Sequence, residues 1–190
     1  MKTGLRIIAC AVLLIIGSLC CIGQDNAGFP PVAKGGILDL RNTDLSKTSV
    51  ALNGEWQFYW KQLIDSSHTP AGLPSMVHYP SLWGNIKINN ETVGSFGYGT
   101  YSLKVLLPKM KSRIALEIPD VYSSYKMYVN GSLFAQNGEP AATPASATPF
   151  WTTQVVVLPP NIDTMQVTMQ VANFWHSKGG TYKEIIIGDK

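Results

Sequence analysis

A short run near the C-terminal end of the chain, residues 173–178, combines the residue types that hold small polar ligands. An aromatic ring can stack on the apolar face of a sugar, and amide, imidazole and ammonium groups can hydrogen-bond its hydroxyls. If the alternation of the preceding strand-like run continues, Asn173 and Trp175 share one face, opposite to His176. The alternative is that Trp175 fills the core and His176 is an ordinary loop histidine. The candidate ligand residues here are Asn173, Trp175, His176 and Lys178.

Two further tryptophans lie in the long segments 66–96 and 136–153, which have the composition of loops. Loops of this length in a compact domain are usually functional or disordered, and exposed loop aromatics often form binding surfaces. Trp83 and Trp151 are therefore candidate ligand contacts. The alternative is that both fold back over the ends of the domain, which is the commoner fate of tryptophan.

Catalytic machinery has little support in the sequence. Glycosidase chemistry needs two carboxylates flanking the scissile bond, but Glu117 and Asp120 flank a proline at a predicted strand end, where a turn cap is the simpler interpretation. No Gly-x-Ser-x-Gly or His-Glu-x-x-His motif occurs. The three histidines are isolated, which does not suit a metal site. We expect a protein that is not an enzyme and has no cofactor, although a structural calcium ion remains open because loop Asp and Asn residues are present.

The first 23 residues have the layout of a secretory signal. Basic residues precede an apolar run over residues 7–16, and small residues follow, so cleavage is expected between Gly23 and Gln24. An uncleaved membrane anchor is the alternative, although the run is shorter than the roughly 20 residues a spanning helix needs. The expected location is the periplasm or the cell surface.

Cysteine and charge usage narrow the function classes further. All three cysteines (Cys10, Cys20 and Cys21) lie in the signal segment, so an exported chain would have no disulfide and no thiolate site; lipidation at Cys20 or Cys21 stays open. Cleavage would remove two of the 15 basic residues and none of the 12 acidic ones, which leaves a net charge of +1. Without a cluster of Lys and Arg, nucleic acid binding is not expected.

The pattern after residue 36 predicts an all-β, antiparallel sandwich. Short β-branched and aromatic runs alternate and stop at Pro, Gly or Asn. Residues 24–36 are rich in Pro and Gly and are interpreted as a linker, with the sandwich over residues 37–190. The expected strands are residues 36–40, 54–59, 99–107, 113–118, 124–129, 132–135, 154–158, 165–171 and 183–187.

Two Asn-Gly pairs and one helical turn complete the local predictions. Asn130-Gly131 predicts a tight hairpin, and Asn53-Gly54 predicts a turn that reverses the chain. After the second turn, Trp56 and Phe58 should share a buried face. Residues 60–65 could form one helical turn.

The order of these motifs resembles the jelly-roll, galactose-binding-like domain at the N-terminus of family-two glycoside hydrolases. In those enzymes catalysis belongs to a separate barrel. The resemblance also makes Tyr122 a candidate ligand residue, because this region adjoins the ligand face of such sandwiches. The motifs are Leu52-Asn-Gly-Glu-Trp-Gln-Phe58, Tyr79-Pro-Ser-Leu-Trp83, and residues 97–108 followed by Tyr128-Val-Asn-Gly131.

A closer resemblance is to the extracellular domain of bacterial seven-transmembrane receptors with diverse intracellular signalling modules. It covers residues 37–188 and rests on Leu38-Asp-Leu-Arg41, Ile118-Pro-Asp120 and residues 173–180. It implies a non-catalytic, extracytoplasmic sensor that binds carbohydrate or another small polar ligand and signals to a membrane partner. Since those receptors continue into membrane helices, the chain is expected to be either a truncated receptor or a free-standing binding domain.

Two other functions compete with the sensor. One is a protein–protein interaction module, which would show a flat apolar patch or an open edge strand. The other is an accessory carbohydrate-binding domain of a glycan-degrading system, which would share the aromatic-lined site expected of the sensor.

Overall fold

The computed structural model describes residues 30–109 and 113–189. The predicted signal, residues 1–23, and the first part of the predicted linker, residues 24–29, lie outside the described residues. Within the described ranges, no helix combines the length and apolar character that crossing a membrane would need.

The described residues form 13 strands and one 3-10 turn, so the all-β prediction is confirmed. Their order along the chain is β1 (Ile37–Asp39), β2 (Val50–Ala51), β3 (Gly54–Trp60), β4 (Ser75–Tyr79), the 3-10 turn (Trp83–Asn85), β5 (Lys87–Ile88), β6 (Glu91–Thr92), β7 (Gly97–Leu106), β8 (Ile114–Ile118), β9 (Ser124–Val129), β10 (Ser132–Asn137), β11 (Gln154–Val157), β12 (Thr164–Asn173) and β13 (Ile186–Asp189).

Two sheets enclose the core. The large sheet has the order β10-β9-β12-β7-β3-β4, with β1 parallel to β7, and the small sheet has the order β11-β8-β13-β2. Strand alternation sends one row of large side chains inward across the large sheet, and all of them are buried. From β3 to β9 this row is Phe58, Tyr101, Met169 and Met127.

The hairpin prediction at Asn130-Gly131 is confirmed. Ser132 pairs with Val129 on the opposite strand, and both turn residues have positive φ, 49° for Asn130 and 81° for Gly131. Such values at both central positions define the tight turn that matches the twist of the two strands. The inward direction of Trp56 and Phe58 is confirmed as well.

The prediction of a reversing turn at Asn53-Gly54 is wrong. The strands on either side, β2 and β3, belong to different sheets, so the chain passes from one sheet to the other here. Gly54 has φ +116°, and a Cβ on it would lie 2.4 Å from the carbonyl oxygen of Ala33. Glycine is needed at this position because the backbone at Ala33 forms a parallel β-bridge with Gly54. Ala33 is buried, so this part of the predicted linker belongs to the sandwich.

Residues 60–65 are not helical. Beyond Trp60 the chain crosses the outer face of the large sheet, and polar side chains of the sheet hydrogen-bond its backbone. The Thr100 hydroxyl donates to the Gln62 carbonyl (2.7 Å) and accepts from the Ile64 amide (3.0 Å), and the Gln170 amide donates to the Ile64 carbonyl (3.1 Å). Because these bonds satisfy the backbone, they replace the helical ones.

The long segment 66–96 contains strand β4, which the sequence interpretation missed. Its inward residues Val77 and Tyr79 are buried, and Tyr79 stacks on Trp56 with ring centroids 4.1 Å apart. The last strand also begins later than expected, at Ile186 instead of Lys183.

Candidate functional site

Four connections meet at one end of the large sheet, which we call the loop end. Strands β7 and β9 begin there and β10 and β12 end there, since Gly97 pairs with Asn173 and Tyr125 pairs with Asn137. The sandwich therefore collects most of the candidate ligand residues at one place. The connections are residues 93–96, 119–123, 138–153 and 174–185.

Asn173 organises the loop that follows β12. Its side-chain amide donates to the carbonyl oxygens of Ser95 and His176, both at 2.7 Å. Its carbonyl oxygen accepts from the backbone amides of His176 (3.0 Å) and Trp175 (3.3 Å). Because Asn173 is fully buried and engaged on both sides, the predicted direct ligand contact is corrected to a scaffolding role.

Trp83 forms the floor under this loop. It is fully buried, donates its indole N–H to the Tyr101 hydroxyl at 2.9 Å, and meets Trp60 edge to face at 4.9 Å. A Cβ on Gly179 would lie 2.5 Å from the Trp83 ring, so the loop rests directly on the indole. Trp83 therefore has no exposed surface for a ligand, which agrees with the alternative of a tryptophan that folds back over the end of the domain.

Three rings from two of these connections form a column at the loop end. Tyr122 stacks on His176 with centroids 4.2 Å apart and planes 6° apart, and on Tyr182 at 4.5 Å and 23°. The Nδ1 atom of His176 lies 3.1 Å from the amide nitrogen of Lys178 and 3.2 Å from its carbonyl oxygen, which fixes the orientation of the imidazole. The Lys178 residue is exposed beside it.

Trp175 is the exposed aromatic next to this column. Its side chain is 47% exposed and meets Phe174 edge to face at 5.9 Å. The expected shared face of Asn173 and Trp175 is not observed, because β12 ends at Asn173 and alternation stops with the strand. The structure therefore separates the two residues into a buried organiser and an exposed ring.

An ionic cluster holds the other side of the column. Asp120 accepts a hydrogen bond from the Tyr182 hydroxyl at 2.5 Å and another from the Lys183 ammonium at 3.2 Å. Burial raises the pKa of Asp120, but these two bonds outweigh it and the net pKa is lowered. Burial and the Asp120 bond raise the pKa of Tyr182. The sequence interpretation missed Tyr182 and Lys183, because only tertiary contact brings them to Asp120.

Trp151 lies on the longest connection at this end. The amide of Phe150 donates to the Ser123 carbonyl at 3.0 Å, and the Asn137 side chain donates to the Thr152 carbonyl at 2.8 Å. These bonds hold the neighbouring Trp151, 53% exposed, along the segment that contains Tyr122.

Two adjoining cavities lie at the opposite end of the large sheet, with volumes of about 300 and 400 Å³. They share Lys109 and Asp163. Because Lys109 and Arg113 are the last and first described residues on either side of residues 110–112, we assign no site to these cavities. Among the described residues there is no group of three or more His, Cys, Asp or Glu side chains that could hold a metal ion.

The chain matches no protein-family model and no curated protein. It does match solved structures. Faecalibacterium prausnitzii β-glucuronidase is 14% identical with a TM-score of 0.56, over 74% of this chain and 31% of the enzyme. An uncultured Clostridium sp. β-glucuronidase is 15% identical with a TM-score of 0.57, over 74% and 28%. An Eisenbergiella tayi GH2 β-galacturonidase bound to galacturonate is 18% identical with a TM-score of 0.51, over 75% and 24%.

These similarities establish the fold. At such low identity they do not transfer an activity, and the chain spans less than a third of each of these enzymes. The relation to glycoside hydrolases of family two, expected from the sequence, is confirmed at the level of the fold. The resemblance to seven-transmembrane receptors stays a prediction.

Proposed function

We propose that this protein is a non-catalytic, extracytoplasmic domain that binds carbohydrate at the loop end of its sandwich. The observation that carries the proposal is the exposed Trp175 beside the Tyr122–His176 stack, on a fold shared with part of several glycoside hydrolases. A half-exposed indole presents an apolar face for a pyranose ring, and neighbouring polar groups can bond its hydroxyls.

The geometry of the loop that carries Trp175 favours binding because this loop is held in place before any ligand arrives. Asn173 fixes the backbone before and after Trp175, and Trp83 supports the loop from below. A rigid site loses less conformational entropy on binding than a flexible one. The exposed ammonium of Lys178 lies on the same loop and suits a hydroxyl-rich or acidic sugar.

We propose a non-catalytic protein because Asp120, the carboxylate at this site, is bound to other side chains. Asp120 is committed to Tyr182 and Lys183, whose bonds keep it ionised. A general acid needs a raised pKa and a free proton. Asp120 therefore suits a structural role in holding the ring column.

The sensor role and the export of the chain rest on the sequence. The apolar segment before residue 24 supports export, and the motifs at residues 38–41 and 173–180 support a receptor-like sensor with a membrane partner. An accessory domain of a glycan-degrading system would use the same site, so the two roles differ in the partner and not in the ligand chemistry.

The test is a titration of the purified protein with glucose, galactose, glucuronate, galacturonate and cellotetraose. Calorimetry gives the affinity, and tryptophan fluorescence follows the two exposed indoles. We expect at least one probe to bind, with Trp175→Ala weakening it about tenfold or more, as for an aromatic at the centre of a site. The matched control is Leu133→Ala, which changes an equally exposed apolar residue on the β9–β10 hairpin at the opposite end. Equal weakening by the control would contradict the proposal.

The interaction module is kept as the second function because of strand β11. It is an edge strand of the small sheet, and its outward residues Val155 and Val157 are 49% and 43% exposed. An open edge with exposed valines can pair with another chain. If no sugar binds and Trp175→Ala changes nothing, this edge becomes the leading candidate.

A further inference from the structure

Three buried polar atoms at the loop end have no hydrogen-bond partner. They are the Ser123 hydroxyl, the Tyr125 hydroxyl and the side-chain carbonyl oxygen of Asn137, in residues that are 1% exposed or less. Buried polar groups are nearly always paired, and an unpaired one is costly, so each needs a reason. Among the described residues the only other such atom is the carbonyl oxygen of Asn53, in the segment between β2 and β3.

The three atoms belong to one patch of the inner surface. Tyr125 and Asn137 are direct partners across the β9–β10 pair, so their side chains leave the sheet on the same face. Ser123 lies just before β9, and its carbonyl oxygen accepts a hydrogen bond from the Phe150 amide at 3.0 Å. All three residues are therefore buried close to the point where β9 begins and β10 ends.

A single stretch, residues 148–152, covers this patch. Phe150 is bonded to the Ser123 carbonyl and Thr152 to the Asn137 amide, and Thr148 pairs with Glu139 through two backbone bonds of 2.8 and 2.9 Å. At the base of the stretch, Gly138 has φ +69°, and a Cβ there would lie 2.1 Å from the Thr148 carbonyl oxygen. The cover thus packs closely at its base, while Phe150 and Trp151 near its far end are half exposed.

We propose that residues 148–152 form a lid over a polar subsite, in which Ser123, Tyr125 and Asn137 bind a hydroxyl group of the carbohydrate ligand. This inference rests on the function proposed above. A sugar hydroxyl both donates and accepts, and the subsite offers a donor in Tyr125, an acceptor in Asn137 and both in Ser123. Because the three atoms are buried, the ligand reaches them only when the lid lifts, and Trp151 then closes against the ring.

The deciding variants are Tyr125→Phe and Ser123→Ala, measured for stability without ligand and for affinity with the sugar panel. Each removes a hydroxyl that has no partner, so the melting temperature without ligand should stay unchanged or rise. The dissociation constant should increase about tenfold, the loss expected for one neutral hydrogen bond. Tyr128→Phe is the control, because that half-buried tyrosine lies on the outer face of the same strand. Lid motion is followed by hydrogen exchange at the Phe150 amide, which should slow at saturating sugar.

The outcomes separate this inference from the proposed function. If wild-type protein binds a sugar and Trp175→Ala weakens it, while Tyr125→Phe and Ser123→Ala bind normally, the subsite is refuted and the function stands. A lower melting temperature of both variants with unchanged affinity would show that the atoms serve a structural water instead. If the rate of hydrogen exchange at the Phe150 amide is the same with and without sugar, the lid is refuted. A wild-type protein that binds none of the probes overturns both proposals.

Discussion

Replacement of Trp83 by phenylalanine is the sharpest test of how the loop end is built. The indole is fully buried between Trp60 and the loop at Gly179, and it donates to the Tyr101 hydroxyl at 2.9 Å. Phenylalanine keeps an aromatic ring but removes the second ring and the donor. If Trp83 instead contacted the ligand, the same change would alter affinity and leave stability intact.

The expected cost follows from these two losses. A cavity of at least a methyl group costs roughly 1 kcal/mol, and a buried hydroxyl that loses its partner costs about 1–3 kcal/mol. The Thr181 side chain lies near the Tyr101 hydroxyl, where it lowers the pKa of that group, and it can take the place of the lost partner, which favours the low end of that range. We therefore expect Trp83→Phe to lower the free energy of unfolding by about 2 kcal/mol, or about 4–8 °C in melting temperature for a domain of this size.

Urea unfolding and calorimetry measure this difference, with Trp151→Phe as the matched control. The control changes a half-exposed indole and should stay within about 0.5 kcal/mol of wild type. Trp83→Phe as stable as the control would refute the argument, and lost sugar affinity at unchanged stability would restore Trp83 to the ligand surface.

Two further changes test the supports of the site. The pKa of Asp120 is lowered in the folded protein, so its bonds stabilise the fold above the unfolded pKa of about 3.9, and this contribution is lost as the pH falls through the folded value. Asp120→Asn should therefore lower the free energy of unfolding at pH 7 by about 1–2 kcal/mol. Melting curves measured from pH 7 down to pH 2 should show the stability difference between wild type and variant disappearing below about pH 4. A difference that persists at pH 2 would contradict this role of Asp120. Asn173→Ala should cost about 2 kcal/mol and speed hydrogen exchange at His176, because four bonds to Ser95, Trp175 and His176 are lost together; unchanged exchange would remove Asn173 from the scaffold.

Local sequence patterns predicted the structure correctly where residues close together in the chain determine it. Alternation placed Trp56 and Phe58 in the core, and Asn130-Gly131 formed its hairpin because the turn geometry depends on those two residues alone. The same residue pair at Asn53-Gly54 led to a wrong turn prediction. Its glycine is needed because the backbone of Ala33, 21 residues earlier in the sequence, packs closely against it. Strand β4 was missed although the buried Val77 and Tyr79 alternate with the exposed Met76 and His78, because the surrounding segment has loop composition.

The candidate site was predicted only in part for a related reason. The sequence marked the run that contains Trp175 and His176, and the structure places Tyr122 against that histidine. It could not separate buried from exposed members, because β12 ends at Asn173 and the burial beyond depends on neighbouring loops. Tyr182 carried no signal, since its role comes from stacking on Tyr122 and bonding Asp120.

The sequence by itself determined the class of fold and the residue types available for binding, because alternation and turn chemistry depend on residues close together in the chain. The tertiary structure alone decided which of those residues reach the solvent. Burial and hydrogen bonding depend on contacts between distant segments, as between Trp83 and Tyr101 or between Asn173 and Ser95. The ring column, the ionised Asp120 and the unpartnered atoms under residues 148–152 all arise from four connections that meet only when the two sheets close.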